Sequence, residues 1–184
     1  MAGVRRPNRG PSAAAANRAA LIVAAREVFA ANGYDAPLSM VAKAAGVGQG
    51  SLYRHFPDRI SLALAVFEDG VAELEALAAE PGATLDDLLT LITEQTIAST
   101  ALIEMVSVPP ADTRMIELRD RVADLLAGAL EEARRAGRVR ADLTADDLVM
   151  AVGMLAGVLA KRPAPARRVA AVRVWELLRR GIGA

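Results

Sequence analysis

The stretch Gly46-Val47-Gly48-Gln49-Gly50-Ser51-Leu52-Tyr53-Arg54-His55-Phe56 sets three glycines, two aromatics and the only histidine of 184 residues into an alanine-rich chain. Three readings compete for it: a phosphate-cradling loop, the turn and second helix of a DNA-reading motif, or a loop and a helix that merely packs. A dinucleotide loop needs G-x-G-x-x-G between a strand and a long helix, and a Walker loop ends in Lys-Ser/Thr. Here the glycines stand at 46, 48 and 50, Ser51 follows, and no strand-like run precedes them. The nucleotide reading fails on that context.

A helix-turn-helix accounts for more of the residues. Its two short helices meet at a steep angle through a tight turn, usually with a glycine in the left-handed conformation. Gly46 supplies that residue and Val47 plugs the core between the helices. The second helix needs slender polar side chains at its N-terminal end to reach base edges in the major groove. Gln49 and Ser51 are of that kind, and Gly48 and Gly50 let backbone approach DNA closely. Leu52 and Phe56, four apart, anchor the opposite face. Tyr53, Arg54 and His55 carry donors suited to phosphate oxygens, which fix register without reading sequence; Arg59 can do the same from the next helix. Taken singly, Tyr53 and His55 serve equally well as partly buried packing residues and Arg54 as a solvated charge.

Working outward, the chain reads as all-α. Alanine, the best helix former, supplies much of the 53% hydrophobic content, and aromatics reach only 3%. Residues 1–13 have the Pro, Gly and Arg content of a disordered basic arm. A helix beginning near Ser12 or Asn17 carries Leu21, Ala25, Val28 and Phe29 on one stripe and stops at Gly33. Pro37 opens a two-turn helix with Leu38, Val41, Ala42 and Ala45 inward, so the helix-turn-helix spans about 37–56. Asp58 caps a fourth helix with Leu62, Val66, Leu74 and Leu77 along it, closing a unit at 14–78. In the remaining 79–184, Thr84-x-x-Asp87 and Thr144-x-x-Asp147 are capping-box starts, with Leu143 and Leu148 as a staple across the second. A separate apolar segment between Ile97 and Val108, a long amphipathic helix from Met115 to Gly137 and a last helix over about 166–180 bring the expected total to about nine helices.

Charge is divided along the chain. Residues 1–60 hold eight Lys/Arg against Glu27, Asp35 and Asp58, and the rest is acidic by the same margin, for a net charge of zero. Only the front is suited to meet a polyanion. No cysteine and one histidine argue against thiolate metal sites, disulfides and most catalytic triads. Asp86-Asp87 and Asp146-Asp147 stand where caps put acids anyway. Neither an enzyme nor a metal- or cofactor-binding protein is expected. The N-terminus lacks an apolar core of signal-peptide length, and the longest apolar run, 148–160, is too short to span a bilayer. The expectation is a cytoplasmic, nucleoid-associated protein without a membrane partner.

Residues from about 17 to 77, a third of the chain, resemble the DNA-binding domain of the TetR family of transcriptional regulators. The likeness is carried by AAREVFAANGYDAPLSMVAKAAGVGQGSLYRHFPDRISL: a first helix ending in Gly-Tyr, an A-x-x-A-G-V turn, and G-x-L-Y-R-H-F-P. It implies a homodimer on a palindromic double-stranded operator, a linking fourth helix, and a larger helical domain that binds a small effector. It also implies that Gln49, Ser51 and Tyr53 face the operator while His55 and Arg59 lie near its backbone. Two departures stand out. Ala36-Pro37 replaces the Thr/Ser that often caps the second helix, and Gly48 stands where many members have Ser. With Lys43 added, the expected DNA-binding set is Lys43, Gly48, Gln49, Gly50, Ser51, Tyr53, Arg54, His55 and Arg59.

The C-terminal part says less. Residues 148–160 are apolar on every side of a helix, which then has to be covered all round. Gly153 and Gly157 permit close approach of a second backbone, and a symmetric reader needs a partner copy. An ordinary core helix is the plainer reading and a face that meets its own copy the preferred one; the last helix, with Val169, Val172, Trp175 and Leu178, would then complete a four-helix dimer interface, as the resemblance implies. Phe67, Leu74, Leu88, Ile92, Gln95, Met105, Met115, Leu118 and Met150 are candidates to line an effector cavity for an apolar or weakly polar ligand, with Gln95 or Thr96 as a polar handle. Each position suits a filled core equally well. A regulator released from DNA by a ligand is the leading reading; a constitutive regulator without effector remains beside it.

Overall fold

The structure, a computed structural model, describes the backbone of residues 10–106 and 113–182 and the side chains of 13–98 and 113–180. Eight helices lie within them: α1 (Gly10–Asn32), α2 (Leu38–Ala44), α3 (Gln49–His55), α4 (Arg59–Ala78), α5 (Leu85–Val106), α6 (Thr113–Arg135), α7 (Ala145–Ala160) and α8 (Ala164–Ile182). The all-α expectation holds, but the count of nine is corrected. No Gly or Pro interrupts Leu85–Val106, so α5 runs on through the segment expected to form a helix of its own. The expected basic arm lies, for residues 1–9, outside the described residues, and α1 already runs from Gly10.

The first four helices share one core. The stripe on α1 is buried as its spacing requires, Leu21, Ala25, Val28 and Phe29 meeting Val41 and Ala42 of α2, Leu52 of α3 and Leu62 and Val66 of α4. Two left-handed glycines set the corners. Gly33 (φ +82°) ends α1 with its N–H on the Phe29 carbonyl at 3.0 Å, and Gly46 (φ +65°) turns α2 into α3. Asp58 caps α4: its carboxylate accepts from the Ser61 N–H at 2.6 Å, while the Ser61 hydroxyl lies 3.3 Å from the Asp58 N–H, a reciprocal box.

A second core joins Leu74 of α4 with Leu88, Leu89 and Ile92 of α5, Leu126 and Leu130 of α6, and Leu143 and Leu148 at the start of α7. At about 1.5–3 kcal/mol for each fully buried leucine, such a cluster outweighs the helices' own propensities. Both capping boxes form. Thr84 and Thr144 each donate to Asp87 and Asp147, and each accepts from the matching N–H at 3.2 Å. Helix α8 closes the bundle through Leu155 and Leu159 of α7 and Ala171, with the Trp175 indole N–H donating to the buried Thr93 hydroxyl at 2.7 Å.

Polar ties cross from the first core to the second. The Arg26 guanidinium of α1 bonds Asp69 (2.9 Å) and Glu73 (3.0 Å) on α4. Gln95 of α5 donates to the same Glu73 and to the Gly70 carbonyl, at 2.9 and 3.0 Å. Arg167 of α8 reaches the Ala30 carbonyl of α1 at 3.3 Å and the Ile97 carbonyl of α5 at 3.4 Å. Among the described residues no helix is long and apolar enough to cross a membrane.

Gly46 offers a clean test of the corner, because a Cβ there meets nothing within 4 Å and its cost is purely that of the left-handed backbone. Gly46→Ala is expected to lose about 1–2 kcal/mol of unfolding free energy, read from urea melts; no loss would deny the strained turn. The caps have a pH signature. Hydroxyl donation from Thr84 and Thr144 holds the Asp87 and Asp147 carboxyls below the usual carboxylate range. That stabilisation is complete above the ordinary Asp value of about 3.9 and is lost as pH falls through the depressed folded values. The Thr84→Ala/Thr144→Ala variant should therefore melt at lower urea than wild type at pH 7, with the gap narrowing toward pH 3. A gap that stays constant would contradict it.

Candidate nucleic-acid interface

Gly48 stands at the N-cap of α3 in extended conformation (φ −66°, ψ 145°), so Gln49 and Gly50 open the helix at its exposed end. Leu52 and Phe56 are buried beneath and hold the helix by one side. That fixes what the other side displays: Gln49, Gly50, Tyr53 (53% exposed) and Arg54 face outward, with Ser51 and His55 half-buried at the margins. A Cβ at Gly48 or Gly50 would meet nothing within 4 Å, so protein packing does not demand glycine at either position. Lys43 lies exposed in the last turn of α2, on the approach to the same corner.

The basic side chains differ in how they are held. The Arg54 Nε donates back to the Gly50 carbonyl at 3.2 Å, which leans its guanidinium along the exposed face of α3. Arg18 of α1 lies over the Phe56 ring, 5.4 Å from its centroid, next to the His55 ring at 6.3 Å from the same centroid. The sequence counted Arg18 only within the basic front, because no local pattern joins residues 18 and 56. Arg59 is turned inward: its Nη1 donates to the Tyr34 and Ala36 carbonyls, the second at 2.6 Å. Burial pushes the neighbouring Tyr34 phenol pKa up, with the Arg59 charge opposing the shift.

The described residues expected to line an effector cavity fall in separate clusters. Leu74, Leu88 and Ile92 are packed together in the second core, and Phe67, Met115 and Leu118 form a small cluster between α4 and α6. Gln95 is tied to α4, and the Thr96 hydroxyl bonds its own helix at the Ile92 carbonyl, 2.7 Å away. Met105 lies outside the described side chains. Met150 is 63% exposed, because Leu148, Ala151 and Leu155 take the inward face of α7 and leave position 150 on the other. A groove of about 280 Å³ does run between α5 and α8, floored by Leu89, Ile97, Ala171 and Trp175 and flanked by the Arg168–Glu94 and Arg179–Asp86 pairs. Among the described side chains, it includes none of the expected lining residues.

Helix α7 is apolar all round yet covered on one face. Met150, Gly153, Met154, Gly157 and Val158 form a bare strip on the other, and Val169 and Val172 of α8 are equally uncovered. Cβ atoms at Gly153 and Gly157 would meet open space. Among the described residues no cluster of His, Asp or Glu gathers as metal ligands.

Residues 21–66, which contain α2, α3 and the corner between them, match the model of bacterial regulatory proteins of the tetR family. No curated protein matches the chain by sequence. Among solved structures, a TetR transcriptional regulator from Streptomyces coelicolor is 28% identical, with a TM-score of 0.66 over 90% of this chain and 98% of its own. The TetR family protein CprB from S. coelicolor A3(2) is 25% identical (TM-score 0.65; 93% and 90% covered). A gamma-butyrolactone receptor, an ArpA-like protein, is also 25% identical (TM-score 0.55; 93% and 90% covered). The helix-turn-helix lies inside the matched residues and nearly the whole length follows these regulators, so residues 21–66 carry the DNA-binding domain of the tetR family of transcriptional regulators, followed by a helical domain as in those structures.

Proposed function

We propose that this regulator works as a cytoplasmic homodimer that represses transcription from a palindromic operator and leaves it when a small apolar effector binds. Residues 14–78 form the reading unit; 79–184 bind the effector and the second copy. The observation that carries the reading is the exposed face of α3, polar and slender at Gln49, Gly50 and Ser51 above a buried Leu52 and Phe56. Inserted N-terminus first into the major groove, α3 brings Gln49 and Ser51 to base edges. Tyr53, Arg54, His55 and Lys43 then bond flanking phosphates, and the bare Gly48 and Gly50 admit the DNA backbone.

Two reading heads need a two-fold axis. The uncovered strip of α7, continued by Val169 and Val172 of α8, is apolar surface that a second copy would remove from water. Effector binding acts as a population shift, favouring a separation of the heads that no longer fits successive major grooves. For the ligand class we take a small, weakly polar molecule, in line with the likeness to the gamma-butyrolactone receptor. One observation favours a second reading, a constitutive regulator: Leu74, Leu88 and Ile92 pack against one another rather than around a space.

Val158→Glu sets a charge in the middle of the apolar strip, and Gln49→Ala leaves the strip intact. The first is expected to sediment as a monomer and to bind an operator about tenfold or more weaker, since one half-site replaces two. The second should stay dimeric and lose preference at particular base pairs. A Val158→Glu protein that remains a dimer would move the interface elsewhere; unchanged base preference in Gln49→Ala would remove that side chain from reading.

A further inference from the structure

Arg59 opens α4, yet its side chain folds back over the five-residue loop, 33–37, that leads from α1 to α2. Nη1 carries two protons, and both are engaged, on the Tyr34 and Ala36 carbonyls. The guanidinium carbon lies 5.0 Å from the centroid of the Tyr34 ring and 5.7 Å from that of the fully buried Phe29. One planar cation thus joins the end of α1, the loop and the start of α4, where Asp58 is itself fixed by its box with Ser61.

The helix that this loop delivers is poorly held by its own residues. α2 has seven residues, Pro37 at its N-cap, and no side-chain bond to its first turn. A helix so short is marginal unless its ends are fixed from outside. The carbonyls of Tyr34 and Ala36 belong to the backbone that leads directly into Pro37, and Arg59 holds both. We propose that Arg59 is a positioning residue of the DNA-binding unit: its guanidinium clamps the α1–α2 loop, compensates for the missing cap of α2, and through the Gly46 corner sets the angle at which α3 is presented. Nη1 is engaged in this way, and the role assigned to Arg59 is to act on DNA through α2 and α3, a direct phosphate contact through its other nitrogens being the alternative that the test separates. The inference rests on α3 as the reading helix.

The test compares wild type with Arg59→Lys, Arg59→Met and the double variant Arg59→Met/Pro37→Ser. Lysine keeps the charge that a phosphate contact uses but lacks the planar fork that spans two carbonyls and stacks on two rings. Hydrogen exchange of the amides in 38–44 is read first, without DNA. Faster exchange in Arg59→Lys is expected, and unchanged exchange overturns the clamp. Affinity for duplexes selected by the wild-type protein is then read across salt concentrations. A clamp predicts about tenfold or more weaker binding in Arg59→Lys with the slope of log K on log salt unchanged. It also predicts that Arg59→Met/Pro37→Ser, which restores a side-chain cap to α2, partly recovers the affinity lost in Arg59→Met. Wild-type affinity in Arg59→Lys, with a slope shallower by about 0.9 in Arg59→Met alone, would make Arg59 a phosphate contact instead. Should Arg59→Met not fold, Arg59→Lys decides by itself. Failure of wild type to bind any duplex strikes the reading of α3, whereas the exchange experiment still judges the clamp.

Discussion

Residues 62–66 of α4 are buried one after another, so this helix has no solvent face over more than a turn and must be enclosed by different neighbours on each side. Leu62, Ala63, Ala65 and Val66 belong to the core of the reading unit, Leu64 and Val71 to the cluster against α6, and Leu74 to the core shared with α5 and α7. Close-packed interiors do not deform continuously. A rotation or slide of α4 that suits one of these cores therefore disturbs the others, and the placement of α3 is tied mechanically to the C-terminal helices.

The polar ties run along the same rod. Arg26 holds α1 to the middle of α4 through Asp69 and Glu73, and Gln95 reaches the same Glu73 from α5. A Cβ at Gly70 would come within 3.2 Å of the Gln95 amide oxygen, so any larger residue there would press on the side chain that ties α5 to α4. Arg121 of α6 pairs with Glu75, two residues further on. These pairs are part-exposed and singly weak, but they share partners across three helices. Arg167 adds a direct link from the start of α8 to the end of α1. The bare face of α7 and α8 and the reading head are thus separated by few intermediaries, which is the arrangement that a dimeric regulator needs if the spacing of its heads is to be well defined.

Much of this was legible in the chain itself, for local reasons. Gly33 and Gly46 had to be left-handed because helices end and turn there, and both are. Asp58, Thr84 with Asp87, and Thr144 with Asp147 announced helix starts by side chains three residues apart, and the boxes formed. The missing side-chain cap at Ala36-Pro37 was equally visible. What stayed hidden depends on distance in space. An apolar run such as 97–106 carries no stop signal, so whether α5 continued could not be read from periodicity. On a helix apolar all round, nothing in the pattern says that Met150 faces outward and Leu148 inward; packing against α5 and α6 decides it. The long-range partners of Arg26, Arg59, Arg167 and Trp175 lie 23 to 137 residues away, with no spacing to betray them.

The central claim is that two copies of α3 read DNA symmetrically, and selection of bound duplexes from a random pool, followed by sequencing, tests it most directly. An inverted repeat is expected, its half-sites centred a whole number of helical turns apart, at roughly 34–36 Å per turn. Recovery of duplexes with no shared sequence, bound in a merely salt-sensitive way, would contradict it.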